Sequence, residues 1–115
     1  MKTIIAGGRD YLDYPALCAA CHSCGWTVTE VVSGGATGVD ALGERWGREN
    51  GIPVTVMKAE WSRWGKMAGP LRNRKMAMES QALIAMPGGH GTANMIKQAE
   101  EFGLRIYRFH PTKPS

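Results

Sequence analysis

Residues 82–92, Ala82-Leu83-Ile84-Ala85-Met86-Pro87-Gly88-Gly89-His90-Gly91-Thr92, carry the reading from which the fold follows. The unbroken apolar run 82–86 is what a strand buried on both faces of a parallel sheet requires. Glycines then turn the chain, and a helical pattern over 92–102 stops at Gly103. The same succession of apolar strand, glycine turn and helix occurs twice upstream. Residues 3–6 run into Gly7-Gly8-Arg9-Asp10 and then a helix over 15–24. Residues 28–33 end in Ser33-Gly34-Gly35-Ala36-Thr37-Gly38, followed by a helix over 38–50 with the stripe Val39, Leu42, Trp46. Further strands are expected over 53–58 and 105–109, with an irregular loop over 59–69 and a helix opening at Pro70 and running to residue 80.

Strands alternating with helices imply right-handed crossovers. The expected fold is α/β, a three-layer Rossmann-like arrangement around a mostly parallel sheet of about five strands. A chain of 115 residues fits one domain, assigned to 1–110 with a tail over 111–115. The apolar content of 43% excludes wholesale disorder. No apolar run approaches the roughly 20 residues that span a membrane. The opening Met1-Lys2-Thr3-Ile4-Ile5-Ala6-Gly7-Gly8 is too short for a signal peptide, so a cytoplasmic protein with no membrane association is expected. Three cysteines, an odd number, argue against a disulfide framework.

In an open α/β sheet ligands bind beyond the carboxyl ends of the strands. All three glycine loops fall there, and two lead directly into helices whose unpaired N–H groups receive phosphate well. A tight turn explains one such loop; three on one edge point to a phosphate-bearing ligand. Common nucleotide signatures fail, however. No Gly-x-x-x-x-Gly-Lys-Ser/Thr is present, and the G-x-G-x-x-G begun by Gly89 ends at Asn94 with no acid about 20 residues on. This excludes a P-loop ATPase and a standard NAD dehydrogenase.

The net charge of +4 is unevenly placed. Lys58, Arg63, Lys66, Arg72, Arg74 and Lys75 against the single acid Glu60 make one segment +5 and the remainder −1. A bound anion and a solvated basic loop both fit this pattern. With the helix opening at Pro70, Arg72, Arg74 and Lys75 fall in its first turns, where a cation costs about 0.3–1 kcal/mol and an arriving anion reverses the sign. Trp61 and Trp64, just upstream, read either as stacking platforms for a base or as packing mass.

These residues carry a family likeness. Arg74-Lys75-Met76-Ala77-Met78, an apolar strand and Pro87-Gly88-Gly89-His90-Gly91-Thr92 resemble the R-K-x-x-M and P-G-G-x-G-T signature of the SLOG superfamily, which includes the Lonely Guy phosphoribohydrolases and DprA. Gly7-Gly8-Arg9-Asp10, the loop from Ser33 to Asp40, Trp64-Gly65 and Ala68-Gly69-Pro70-x-Arg72-Asn73 are most similar to its YspA-related branch. The resemblance spans about residues 1–109. It implies a Rossmann-like sheet, homo-oligomers and ligands such as nucleoside monophosphates, ADP-ribose or NAD-related molecules. In the phosphoribohydrolases the Arg of R-K and a Glu two residues after the Thr act on the ribose–base bond. Arg74 matches that Arg, but Asn94 occupies the Glu position. An amide can hold a ribose hydroxyl but cannot act as a general base near pH 7. Asp40 and Glu44 are the candidates to replace the carboxylate, although a first-turn acid at Asp40 also simply stabilises a helix start.

Cys18-Ala19-Ala20-Cys21-His22 matches C-x-x-C-H, and Cys24 extends the spacing. Leu17, Cys21 and Cys24 also make one helical stripe, so core packing stands ahead of zinc, iron–sulfur or haem, and no metal or cofactor is expected. His90 reads either as a ligand contact or as a solvent-facing loop residue.

Three functions result. The leading one is a domain that binds a nucleotide-derived ligand to sense or sequester it. Its expected binding residues are Gly7, Gly8, Arg9, Ser33, Gly34, Gly35, Gly38, Asp40, Arg72, Asn73, Arg74, the run from Pro87 to Thr92 (Pro87, Gly88, Gly89, His90, Gly91, Thr92) and Asn94. The second is an N-glycosidase of the phosphoribohydrolase type, with Arg74, Asp40 and Glu44 as candidates. Nucleic-acid binding, held lowest, is the third.

Overall fold

Apolar runs become strands here because both sides of the sheet are covered. The computed structural model describes residues 1–110, so the tail expected at 111–115 lies outside the described residues. In chain order the strands are β1 (Lys2–Ala6), β2 (Glu30–Ser33), β3 (Val54–Val56), β4 (Ala82–Ala85) and β5 (Arg105–Arg108). The helices are α1 (Tyr14–Ser23), α2 (Val39–Glu49), the single turn α3 (Trp61–Trp64), α4 (Ala68–Glu79) and α5 (His90–Glu101). All strands pair in parallel, in the order β3-β2-β1-β4-β5. Ile4 sits opposite both Val32 and Leu83, which places β1 in the centre.

Successive residues of the central strands point to opposite faces. Ile5, Val31 and Ile84 pack against Leu17, Ala20 and Cys21 of α1 and Val39 and Trp46 of α2. Ile4, Val32 and Leu83 pack against Met76 and Ala77 of α4 and Met95 and Ala99 of α5. The arrangement is therefore three layers with two cores, one on each side of an all-parallel five-stranded sheet. Asp13 opens α1, its Oδ1 accepting the Ala16 N–H at 3.0 Å, with Pro15 in the first turn. Cys21 and Cys24 are buried in the α1 core, as the helical stripe requires. Burial pushes the Cys21 thiol up to about 12. No helix among the described residues is long and apolar enough to cross a membrane.

The structure departs from expectation between β3 and α4. Residues 59 and 60 are irregular as expected, but 61–69 is helical: α3 is followed by a 3₁₀ turn at Gly65–Met67, and α4 opens at Ala68. Gly65 separates the pieces, and Trp61-Ser62-Arg63-Trp64 is too short to show a 3.6-residue period. Pro70 is thus the third residue of α4, still within the turn whose N–H groups lack helical partners. Arg72 and Arg74 fall in the second turn, and Lys75 follows at its end. The macrodipole fades within the first turn, so its unfavourable pull on these three cations does not apply as expected.

Candidate functional site

The chain steps outward from β1 to β2 to β3, then returns to the other side of β1 to form β4. Loops leaving β1 and β4 therefore diverge and open a crevice between them. Backbone hydrogen bonds tie the three glycine loops around it. The Gly8 N–H donates to the Pro87 carbonyl at 2.8 Å, and the Val39 N–H donates to the Gly8 carbonyl at 3.1 Å. The Thr37 hydroxyl reaches the Arg9 carbonyl at 3.4 Å. Such contact demands residues without side chains. Gly38 has φ of 71°, and a Cβ there would fall onto the Gly8 carbonyl oxygen. A Cβ at Gly88 would stand 2.8 Å from the Gly8 nitrogen and would overlap the hydroxyl of buried Thr92.

The crevice encloses about 300 Å³. Gly7, Gly8 and Arg9 line it from β1, Asp40 from α2, Arg72 and Asn73 from α4, and Gly89 to Thr92 from the start of α5. Neither Gly38 before α2 nor Gly89 before α5 supplies a side-chain cap, so the first-turn N–H groups of both helices have no side-chain acceptor. His90 is exposed in the first turn of α5 and also borders the cavity.

Arg72 organises the interior. Half-buried, it donates from Nη1 to the Gly34 carbonyl at 2.7 Å and to the Met57 carbonyl at 3.4 Å. Its Nε donates to Asn73 Oδ1 at 2.9 Å. Buried Asn73 donates in turn to Asn94 Oδ1 at 3.0 Å and to the Gly91 carbonyl at 3.3 Å. One polar chain thus joins α4, the start of α5 and the loop after β2. Burial lowers the proton affinity of Arg72. Asp40, also buried, crowds the same side of Gly34 as Arg72, since a Cβ there would stand 2.5 Å from Arg72 Nη1 and 2.9 Å from Asp40 Oδ2, and it accepts the Ala36 N–H at 3.1 Å. Burial raises its pKa above the ordinary carboxylate value, against the opposing pull of the Ala36 N–H and of Arg72.

Other expected residues sit elsewhere. Ser33 lies beneath the loop, its Oγ donating to Glu44 Oε2 at 2.6 Å and accepting the Gly35 N–H at 3.1 Å. Glu44 is thereby turned to Ser33 and towards Arg48, 4.0 Å away, and does not line the cavity. Arg74 is exposed, with its guanidinium 5.5 Å above the Phe102 ring. Two residues along a helix turn about 200°, so Arg72 and Arg74 face nearly opposite ways. The Arg that motif spacing singles out is therefore not the one brought to the crevice. Arg63 pairs with Glu60 at 3.8 Å and Arg74 lies over Phe102, whereas Lys58, Arg72 and Lys75 line one groove, so the sequence cluster is divided rather than kept together. The reading from sequence missed Met76 and Met95 at the cavity floor and the bond from Asn73 to Asn94; an amide at Asn94 facing one at Asn73 was the available signal. A groove of about 510 Å³ meets the crevice at Arg72; lined also by Val56, Lys58, Trp64, Leu71 and Lys75, it is more apolar and lacks the glycine loops.

Comparison with known proteins bears on this geometry. Residues 1–64 match the family described as YspA, cpYpsA-related SLOG family (YAcAr). Over 120 residues the chain is 32% identical to the Gene 61 protein of Mycobacterium phage D29, covering 94% of this chain and 95% of that protein. Its fold is similar to that of DNA processing protein A (DprA) from Streptococcus pneumoniae, with a TM-score of 0.74 at 17% identity. That likeness covers 96% of this chain and 50% of DprA, so the chain spans half the length of that structure.

Proposed function

From the premise that this chain belongs to the YspA-related SLOG family, we propose that it binds a phosphate-bearing, nucleotide-derived ligand in the crevice between the β1 and β4 loops, to sense or sequester it. One observation carries the reading. A half-buried arginine, fixed through two of its nitrogens, shares a cavity with two helix starts that lack side-chain caps. The neighbouring Asp40 carboxyl is itself biased towards its neutral form by burial, and desolvating a guanidinium is unfavourable unless a charge answers it. Phosphate does so while accepting hydrogen bonds from the helix starts, each favourable by about 0.3–1 kcal/mol at exposed sites. A nucleoside monophosphate and ADP-ribose both carry the required group.

Calorimetric titration with AMP tests this. Binding is expected, and Arg72→Ala should weaken it by about 1.5–3 kcal/mol, the scale of a hydrogen bond to a charged group. Arg74→Ala should leave it unchanged. AMP and ADP-ribose both failing to bind, or binding insensitive to Arg72→Ala, would reject the proposal.

Asp40 favours a second reading. A buried carboxyl whose proton affinity is raised, in the same cavity as Arg72, has the character of a general acid. It is the residue to test for N-glycosidase activity, since Asn94 replaces the Glu of the related hydrolases and its carbonyl is engaged by Asn73. Release of free adenine from AMP, lost in Asp40→Asn, would move the protein to that class. The DprA likeness raises nucleic-acid binding, which has against it that Arg63 and Arg74 are turned to Glu60 and Phe102; affinity that does not fall with salt would remove it.

A further inference from the structure

The crevice that faces an anion also presents one. Among the described residues Asp40 is the only carboxylate lining it, and the residue is just 8% exposed. Its Oδ2 accepts the Ala36 N–H, while Oδ1 has no hydrogen-bond partner among the described residues. No ion pair holds it there either. Charged groups act on it from three elements. Arg72 on α4 and Arg9 after β1 favour its ionised form, and Glu44, one turn along α2, disfavours it. Burial outweighs them and tightens the hold on its proton. His90, at the start of α5, is the other titratable group on the crevice wall, and Asn73 beside it is neutral.

Arg72 Nη1 and Asp40 Oδ2 crowd one side of Gly34, so an anion seated at Arg72 meets Asp40. Two negative oxygens facing each other away from bulk water repel unless a proton lies between them. Either partner can bring it. Inorganic phosphate keeps a proton to well above neutral pH. Sulfate has none in that range and needs Asp40 itself to be protonated.

We propose that Asp40 is a specificity-determining residue that shares one proton with the bound anion, so that the crevice accepts an oxyanion carrying a proton and turns away one that is fully ionised. This rests on the phosphate-binding reading above and is independent of hydrolysis. At high pH the proton belongs to the anion, whose O–H donates to Asp40 Oδ1. At low pH it belongs to Asp40, which donates to the anion. In both states Arg72 and the first-turn N–H groups of α2 and α5 answer the remaining charge. A phosphate monoester, which loses its last proton at about pH 6, passes there from the accepted class to the rejected one.

The test is calorimetric titration of the full chain with potassium phosphate and with potassium sulfate, at pH 5 and pH 8 and constant ionic strength. Sulfate should lose at least tenfold in affinity across that interval, while phosphate changes less than about threefold. In Asp40→Asn, whose amide donates to either anion at any pH, the sulfate loss should shrink to less than about threefold. His90→Gln should keep the discrimination. Should Asp40→Asn fail to fold, the contrast between the two anions in the wild type and in His90→Gln still decides. The two anions weakening together, an undiminished sulfate loss in Asp40→Asn, or a loss that vanishes in His90→Gln overturns the role of Asp40. AMP binding that depends on Arg72 would then leave the phosphate site standing, and no binding of AMP or of either anion at either pH rejects both.

Discussion

The two ends of the sheet treat their polar backbone groups in opposite ways. At the amino end the chain satisfies itself. The Thr29 N–H reaches the Met1 carbonyl at 3.1 Å, the Gln81 N–H reaches Lys2 at 2.9 Å, and the Arg105 N–H reaches Gln81 at 3.1 Å. The Gln81 side chain accepts the Lys2 N–H at 2.9 Å, and Lys2 lies 3.6 Å from Glu30. At the carboxyl end, glycines bring three loops together, two helices begin without side-chain caps, and a buried carboxyl shares one cavity with a half-buried guanidinium. The first end is finished by folding. The second keeps first-turn N–H groups without side-chain acceptors, and that contrast is the ground on which a ligand is proposed there.

Substitutions can break this contrast in graded ways. Gly38→Val should do the most damage, because it places a β-branched residue at positive φ against the Gly8 carbonyl. The loss should be on the order of 3 kcal/mol or more, read as a fall of roughly 10 °C or more in the thermal midpoint. Gly89→Val separates site from fold. Nothing lies within 4 Å of a Cβ there, so the midpoint should hold while AMP affinity falls at least tenfold, as the isopropyl group screens the start of α5. Retained affinity would remove that helix from the site.

Asp13→Ala is the converse experiment. It deletes the cap of α1, away from the crevice, and should cost about 1 kcal/mol of stability in urea denaturation with AMP affinity unchanged. The subtlest effect is that of Asp40 on pH dependence. Its proton is held more tightly folded than unfolded, so its contribution to stability falls as pH rises from the ordinary value of 3.8 towards the raised folded value. Asp40→Asn should lack that fall in urea titrations across pH 3–6, and an identical slope in both proteins would show that burial does not perturb the carboxyl.

The layers and the glycine loops were legible because both leave one-dimensional traces. Buried parallel strands are apolar runs, and a backbone that must approach another backbone is written in glycine. Arg72 was less legible than Arg74. Which of two arginines faces inward depends on helical phase, and phase depends on α4 opening at Ala68, two residues before the proline that marks its start to the eye. Trp61 stayed ambiguous for a related reason. Whether a tryptophan is packing mass or a free face is decided by neighbours that its own four-residue helix does not encode. The link from Asn73 to Asn94 left only its two amides as a trace in the sequence, because the bond itself crosses between helices.

The bond from the Gly8 amide to the Pro87 carbonyl has a kinetic corollary. It clasps the two principal walls to each other as the chain folds, so the entropy of ordering them is spent before any metabolite arrives. If the proposed ligand binds here, its capture should proceed as a single concentration-dependent phase in stopped-flow, and a second, concentration-independent phase would show that the walls rearrange on binding.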